Sequence, residues 1–337
     1  MISIPKGIIL SCEKDFLNED EIDFFSNINP FGFILFSRNF KSKSQIKKLI
    51  KDLKSLSKNP SPLIFVDQEG GRVQRFKNHE FTKIPSQSFF GNLYKSDPKK
   101  AKELSYSIAC LLGTELKDIG VDVNCSPVLD IFFDFGNSII GDRAFSSDSM
   151  IVSHLGQEYC KGYRDSGIIP LIKHFPGHGR SELDSHKDLP IVNVSLSELK
   201  KKDLKPFKFL RNEIFLMLAH IIYKNIDSKV TPYSKILKKE LIEDYLNFKG
   251  LTISDDLDMK ALKGELVEKT IKCYDGGCDI VLYCGGILND MKKVYQKSRT
   301  IKEFKYEYFL KYKKNLKVKQ TNMSALKKQL KLSETIE

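Results

Sequence analysis

Four short blocks of this 337-residue chain concentrate the side chains able to do chemistry. They are Asp67 in VDQEGGRVQRF, Lys173 and His174 in KHFPGHG, His220 in LAHIIY, and Asp255 with Asp256 in ISDDLDM. A carboxylate can attack an electrophilic carbon or accept a proton, and an imidazole titrates near neutrality and can pass a proton in either direction. The same residue types can hold a metal, and His174, His178, His220 and Asp255 form the ligand set a metal-dependent barrel hydrolase would use. That alternative is the weaker one. No HxH pair ends an early apolar run, and His174 and His178 flank a Phe-Pro-Gly turn that need not converge them. Two adjacent aspartates cannot both face one site, so one of Asp255 and Asp256 is expected to cap the segment that follows.

Each block ends a short apolar run, and the runs recur along the chain at 7–11, 32–36, 63–66, 122–128, 170–174, 214–218, 251–254 and 279–284. Helical patterns lie between them. Asp97-Pro98 supplies an N-cap and a first-turn proline to one of these, and Ser195 with Glu198 reads as a capping box for another. Strands buried on both faces and joined by crossover helices pair in parallel, and eight such units predict an α/β fold, a single (β/α)8 TIM-type barrel over residues 1–299. A basic helical tail over 300–337 is expected after it. An open doubly wound sheet is the runner-up, but the segment after the first run, CEKDFLNEDE, has no glycine-rich phosphate turn. A barrel collects its chemistry at the C-terminal strand ends, where these blocks fall, so an enzyme or binder is predicted rather than a structural protein.

Composition narrows the class further. Hydrophobic residues make up 41%, charged residues 29%, and no apolar run approaches the length of a membrane span. The first apolar run is short and is followed by Glu13 and Asp15 without a cleavage pattern, so export is not expected. Seven cysteines without a CxxC, mostly in apolar stretches, read as buried thiols in a reducing compartment, and a cytoplasmic location is the expectation. The formal charge is +12, but fourteen Lys or Arg against four Glu from residue 291 onward leave the body nearly neutral. A solvated basic tail is therefore expected, not a nucleic-acid surface. The partner predicted is a small molecule, and the chain is expected to be a monomer.

Five ordered blocks carry a resemblance: VDQEGGRVQRF (66–76), SPVLD with GDRAF (126–130 and 141–145), KHFPGHG with DSH (173–179 and 184–186), AHIIY (219–223) and GLTISDDLDM (250–259). Over residues 5–286 the chain resembles glycoside hydrolase family 3, in particular its short, single-domain β-N-acetylglucosaminidases. The resemblance implies that Asp255 is the nucleophile and that His186, oriented by Asp184, is the acid/base in place of a second carboxylate. Were His186 not the acid, Glu69, Asp130 and Glu182 would be the candidates. It further implies that Asp67, Arg75, Arg143, Lys173 and His174 bind the sugar, with no cofactor and no metal. Arg72 is assigned a structural role, with Gly70 and Gly71 making a tight turn, and His178 and His220 supporting ones. The implied substrate is a cytoplasmic peptidoglycan fragment, N-acetylglucosamine linked to 1,6-anhydro-N-acetylmuramic acid with or without a peptide. Another sugar specificity, phosphorolysis and an inactive sugar-binding module are the alternatives. Ala144, Ser146 and the basic and apolar segment 180–183 depart from the family pattern, which leaves the resting position of the 177–190 loop open.

Overall fold

The computed structural model describes residues 3–319 together with Ser324 and Leu326. Its frame is eight parallel strands: β1 (Lys6–Leu10), β2 (Pro30–Leu35), β3 (Leu63–Val66), β4 (Val123–Asn124), β5 (Ile169–Phe175), β6 (Phe215–Leu218), β7 (Leu251–Asp256) and β8 (Ile280–Leu282). Neighbours in sequence are neighbours in space, and β1 pairs with both β2 and β8, which closes the barrel. All eight apolar runs become barrel strands, and the fold is the expected (β/α)8 type. The open-sheet alternative is excluded by the β1–β8 pairing.

Why these runs close can be read from their two-residue period. Ile9, Leu63, Phe65, Ile169, Leu171, Phe215, Met217, Leu251, Ile253 and Ile280 pack together inside the barrel. The alternate residues Ile8, Leu10, Ile64, Val66, Ile172, Leu216 and Leu218 pack outward in the layer shared with the helices. Apart from Lys6, Asp255 and Asp256 at strand ends, every strand residue is thus buried on one face or the other, the condition for a parallel barrel. The helices start where their caps require. Asp97 accepts from the Lys100 amide at 2.9 Å to begin Pro98–Asp118, and Ser195 and Glu198 form a reciprocal capping box on Leu196–Lys201.

The expected domain boundary at 299/300 needs correction. The helix Glu303–Lys314 lies across the N-terminal mouth of the barrel, where Phe309 packs on Phe31 and Phe215 with ring centroids 5.2 and 5.7 Å apart. Ile301 and Tyr306 belong to the same buried cluster. Lys305 donates to the carbonyl of Gly250 just before β7, and Lys313 to the hydroxyl of Ser61 just before β3. A barrel without this helix would leave the lowest ring of interior aromatics facing water. Residues to at least 316 therefore pack against the barrel core. Of the tail expected over 300–337, residues 320–337 lie outside the described residues, apart from 324 and 326. Among the described residues, no helix is long and apolar enough to cross a membrane.

Phe309→Ala removes the ring that meets two strands at once, and the expected loss is about 3–5 kcal/mol of unfolding free energy, read as a lower denaturant midpoint. A loss under about 1 kcal/mol would show the helix to be peripheral.

Candidate active site

At the opposite mouth, the C-terminal strand ends surround a cavity of about 370 Å³. Asp67, Arg75, Arg143, Lys173, His174, His186 and Asp255 all line it, as do Glu69, His178, Asp256 and Cys284. The strand period explains much of the convergence. Leu251 and Ile253 face the barrel axis, so two residues on Asp255 faces it too; Leu63 and Phe65 lead in the same way to Asp67, and Ile169 and Leu171 to Lys173. The turn after Asp67 is built by Gly70 and Gly71, at φ +109° and +55°, which brings Arg75 back over the cavity.

Charge pairing organises the floor. Lys173 is 2% exposed and its ammonium lies 2.9 Å from Asp67 Oδ1 and 2.6 Å from Glu69 Oε1. Arg143 grips Glu69 with two bonds of 2.9 Å, and Arg75 reaches Asp67 Oδ2 at 3.0 Å. Burial raises the Asp67 carboxyl, but Lys173 and Arg75 outweigh it and hold the group well below the usual range. Glu69 is likewise pulled down against its burial, by Arg143 and Lys173, while burial's downward pull on Lys173 is overcome by the two carboxylates. Asp130, fully buried, binds His174 Nδ1 at 2.7 Å and the His178 amide at 2.6 Å, and these histidines overcome the rise that burial imposes on its carboxyl.

The two aspartates on β7 separate by environment. Burial raises the Asp255 carboxyl, yet His174, His220 and the Asp256 amide, 2.8 Å from Asp255 Oδ1, bring it below the ordinary value. Asp256 is pushed up to about 6 by burial, and its Oδ1 holds the amides of Asp258 and Cys284. Asp256 is therefore the capping member of the pair.

His186 sits on the loop after β5, its side chain 59% exposed but still at the cavity wall. Its Nδ1 lies 2.9 Å from Asp184 Oδ1, and the same oxygen accepts the His186 amide. That leaves Nε2 free to meet a ligand. Asp184 does not line the cavity and acts only through the imidazole and its amide. Arg72 takes the structural place expected of it, bonding Asp142 and the carbonyls of Ser138 and Ile139. His178 bonds Ser185 at 2.9 Å, and His220 is buried with both ring nitrogens unpartnered among the described residues. Burial lowers both imidazoles to about 4, which keeps them neutral at pH 7.

Sequence reasoning had Glu69 and Asp130 only as substitute acids; the structure instead ties Glu69 into ion pairs with Arg143 and Lys173 and Asp130 into hydrogen bonds with His174 and the His178 amide. The signal for Glu69 was its two-residue spacing from Asp67 in the same block. Nothing in the sequence pointed to Cys284, Phe36 or Met217 as cavity walls. Among the described residues no group of three or more His, Cys, Asp or Glu side chains is placed to hold a metal ion together.

The glycosyl hydrolase family 3 N-terminal domain matches residues 17–324. A β-hexosaminidase of Thiobacillus denitrificans is 39% identical over 258 residues, covering 75% of this chain and 71% of its own length. A β-hexosaminidase of Neisseria meningitidis serogroup C is 39% identical over 288 residues, covering 83% and 79%. Among solved structures, NagZ of Neisseria gonorrhoeae in complex with N-trifluoroacetyl-D-glucosamine superposes with a TM-score of 0.85 at 31% identity, over 97% of this chain and 94% of that one. A family 3 β-N-acetylglucosaminidase from Paenibacillus gives a TM-score of 0.83 at 25% identity, over 96% and 66%. With a family domain that runs from before the second strand to beyond the closing helix, the chain belongs to glycosyl hydrolase family 3.

Proposed function

We propose that the chain is a retaining β-N-acetylglucosaminidase that releases terminal β-linked N-acetylglucosamine from cytoplasmic peptidoglycan fragments ending in 1,6-anhydro-N-acetylmuramic acid, with or without a peptide. The observation that carries the reading is the pairing of one unclaimed carboxylate, Asp255, with a carboxylate-oriented imidazole, His186, on the same cavity. Every other carboxylate at the wall is occupied. Asp67 and Glu69 are neutralised by Lys173, Arg75 and Arg143, and Asp256 holds two amides and adjoins the nucleophile on the same strand. Named relatives that act as β-hexosaminidases support the sugar class.

In this mechanism Asp255 attacks the anomeric carbon as the bond to the leaving oxygen breaks, and His186 Nε2 gives that oxygen its proton. A covalent glycosyl ester on Asp255 results. Water then attacks the same carbon, surrendering a proton to His186, and the Asp255 carboxylate departs with the β configuration restored. Asp184 stabilises the imidazolium formed in each cycle. Its own carboxyl, raised by partial burial, is brought below the ordinary value by the His186 amide and ring, so it remains an anion at neutral pH. Asp67, Arg75, Arg143, Lys173 and His174 would hold the sugar hydroxyls and acetamido group with donors and acceptors whose positions are already set by their mutual ion pairs.

Asp255→Asn is expected to lower turnover by roughly three orders of magnitude or more with the fold intact, and a 2-fluoro or 5-fluoro glycosyl reagent should label the peptide bearing Asp255. A label on Asp256, or an inverted product anomer, would refute the assignment. His186→Ala should slow alkyl glycosides and natural disaccharides by roughly a hundredfold or more, yet form the Asp255 intermediate rapidly on activated aryl substrates. Azide should rescue its deglycosylation as the β-glycosyl azide. Aryl β-N-acetylglucosaminide should exceed aryl β-glucoside by at least about a hundredfold in kcat/KM. Equal rates would overturn the sugar assignment, and a glycosyl phosphate formed in the presence of inorganic phosphate would favour phosphorolysis.

A further inference from the structure

His186 sits on a loop and not on a strand, so its place depends on how the loop around it is held. That loop leaves β5 at Phe175 and carries two kinds of restraint. At its base Arg180 donates to both oxygens of Asp203, a residue 1% exposed, and lies over the Phe133 ring at 4.5 Å. Beside His186, the fully buried Ser185 accepts the Ala261 amide on its carbonyl and meets His178 through its hydroxyl. Between these anchors, among the described residues, the hydrogen bonds that join Ser181 and Glu182 to the segment after β4 both come from Asn137.

Asn137 makes three bonds there. Its amide donates to the Ser181 carbonyl at 2.6 Å, its side-chain Nδ2 donates to the Glu182 carbonyl at 3.1 Å, and its Oδ1 accepts the Ile139 amide at 2.9 Å. The last bond matters because the Ile139 carbonyl accepts from Arg143 Nη1 at 3.0 Å, and Ile139 itself lines the cavity. Arg143 is the residue that grips Glu69 on the cavity floor. A continuous set of hydrogen bonds therefore runs from Glu69 through Arg143, Ile139 and Asn137 to the carbonyl two residues before Asp184.

We propose that Asn137 is a positioning residue that clasps the acid/base loop to the segment held by Arg143, so that the group gripping the sugar also sets the placement of the Asp184–His186 pair. The inference rests on His186 being the acid/base. It assigns Asn137 no contact with substrate. Its physical content is that a half-exposed imidazole keeps its orientation only while the loop carbonyls of Ser181 and Glu182 are fixed, and a misplacement on the order of 1 Å costs a proton transfer up to about a hundredfold.

The test compares wild type, Asn137→Ala, Asn137→Asp and His186→Ala on a p-nitrophenyl and a methyl β-N-acetylglucosaminide, with and without azide. Asn137→Asp is the discriminating variant. It keeps an acceptor for the Ile139 amide, but replaces the donor to Glu182 with an oxygen that can only repel that carbonyl. Both Asn137 variants are expected to lose about tenfold in kcat on the methyl glycoside with KM within about twofold, and to regain turnover on the aryl glycoside with azide. An Asn137→Asp variant at wild-type rates, or an equal loss on both substrates without azide response, would overturn the clasp. Should His186→Ala itself show no leaving-group dependence and no azide response, the acid/base reading beneath it falls, a result distinct from the failure of Asn137 alone.

Discussion

An ammonium group buried at the end of a barrel strand is tolerable only when carboxylates meet it, and Lys173 is met by two. Each of those carboxylates is in turn held by an arginine, Asp67 by Arg75 and Glu69 by Arg143. Removing Asp67 or Glu69 would leave three cations facing a single carboxylate, at a cost of about 3–5 kcal/mol. The network thereby dictates which loops pack where: Arg75 returns through the Gly70–Gly71 turn, and Arg143 arrives from the segment after β4. By pairing Asp67 and Glu69 with cations, while Asp256 holds two amides, it leaves Asp255 as the cavity carboxylate best placed for the proposed chemistry.

The proposed acid/base group obeys the opposite logic. His186 is exposed, on a loop, and oriented by an aspartate two residues away rather than by the barrel. In the proposed mechanism a rigid nucleophile on β7 and a loop-borne acid divide the work sensibly, since the covalent bond demands a fixed trajectory while proton transfer must adapt to a departing group of variable size. The loop is nevertheless not loose: Arg180 with Asp203, Asn137 and Ser185 restrain it at three places.

The opposite mouth of the barrel explains why the active end can be open. Phe31, Phe65, Phe215 and Phe309 fill the N-terminal end, and Glu303–Lys314 seals it, so hydrophobic stabilisation is concentrated where no ligand must enter. The basic side chains of that helix mask its role in a charge count, because Tyr306 and Phe309 pack on the barrel while Lys305 turns onto the Gly250 carbonyl and Asp279.

Much of this was legible in the residues themselves. A two-residue period over short apolar runs determines strands, eight of them separated by capped helices determine a barrel, and polar residues continuing that period past the strand end determine Asp67, Lys173 and Asp255 as cavity groups. The choice of Asp255 over Asp256 came from the resemblance to the family, and the strand parity seen in the structure agrees with it. Which buried charge pairs with which was not legible, because ion pairing between Lys173 and Glu69, or Asp130 and His174, is set by the radial order of strands and not by spacing along the chain. The sealing helix was missed for a related reason: two inward aromatics among many lysines carry little weight in a composition, and only the closed barrel creates the apolar mouth that they fill. Local pattern is a property of neighbours in sequence, whereas pairing, plugging and the Asn137 clasp depend on distances that exist only once the barrel has closed.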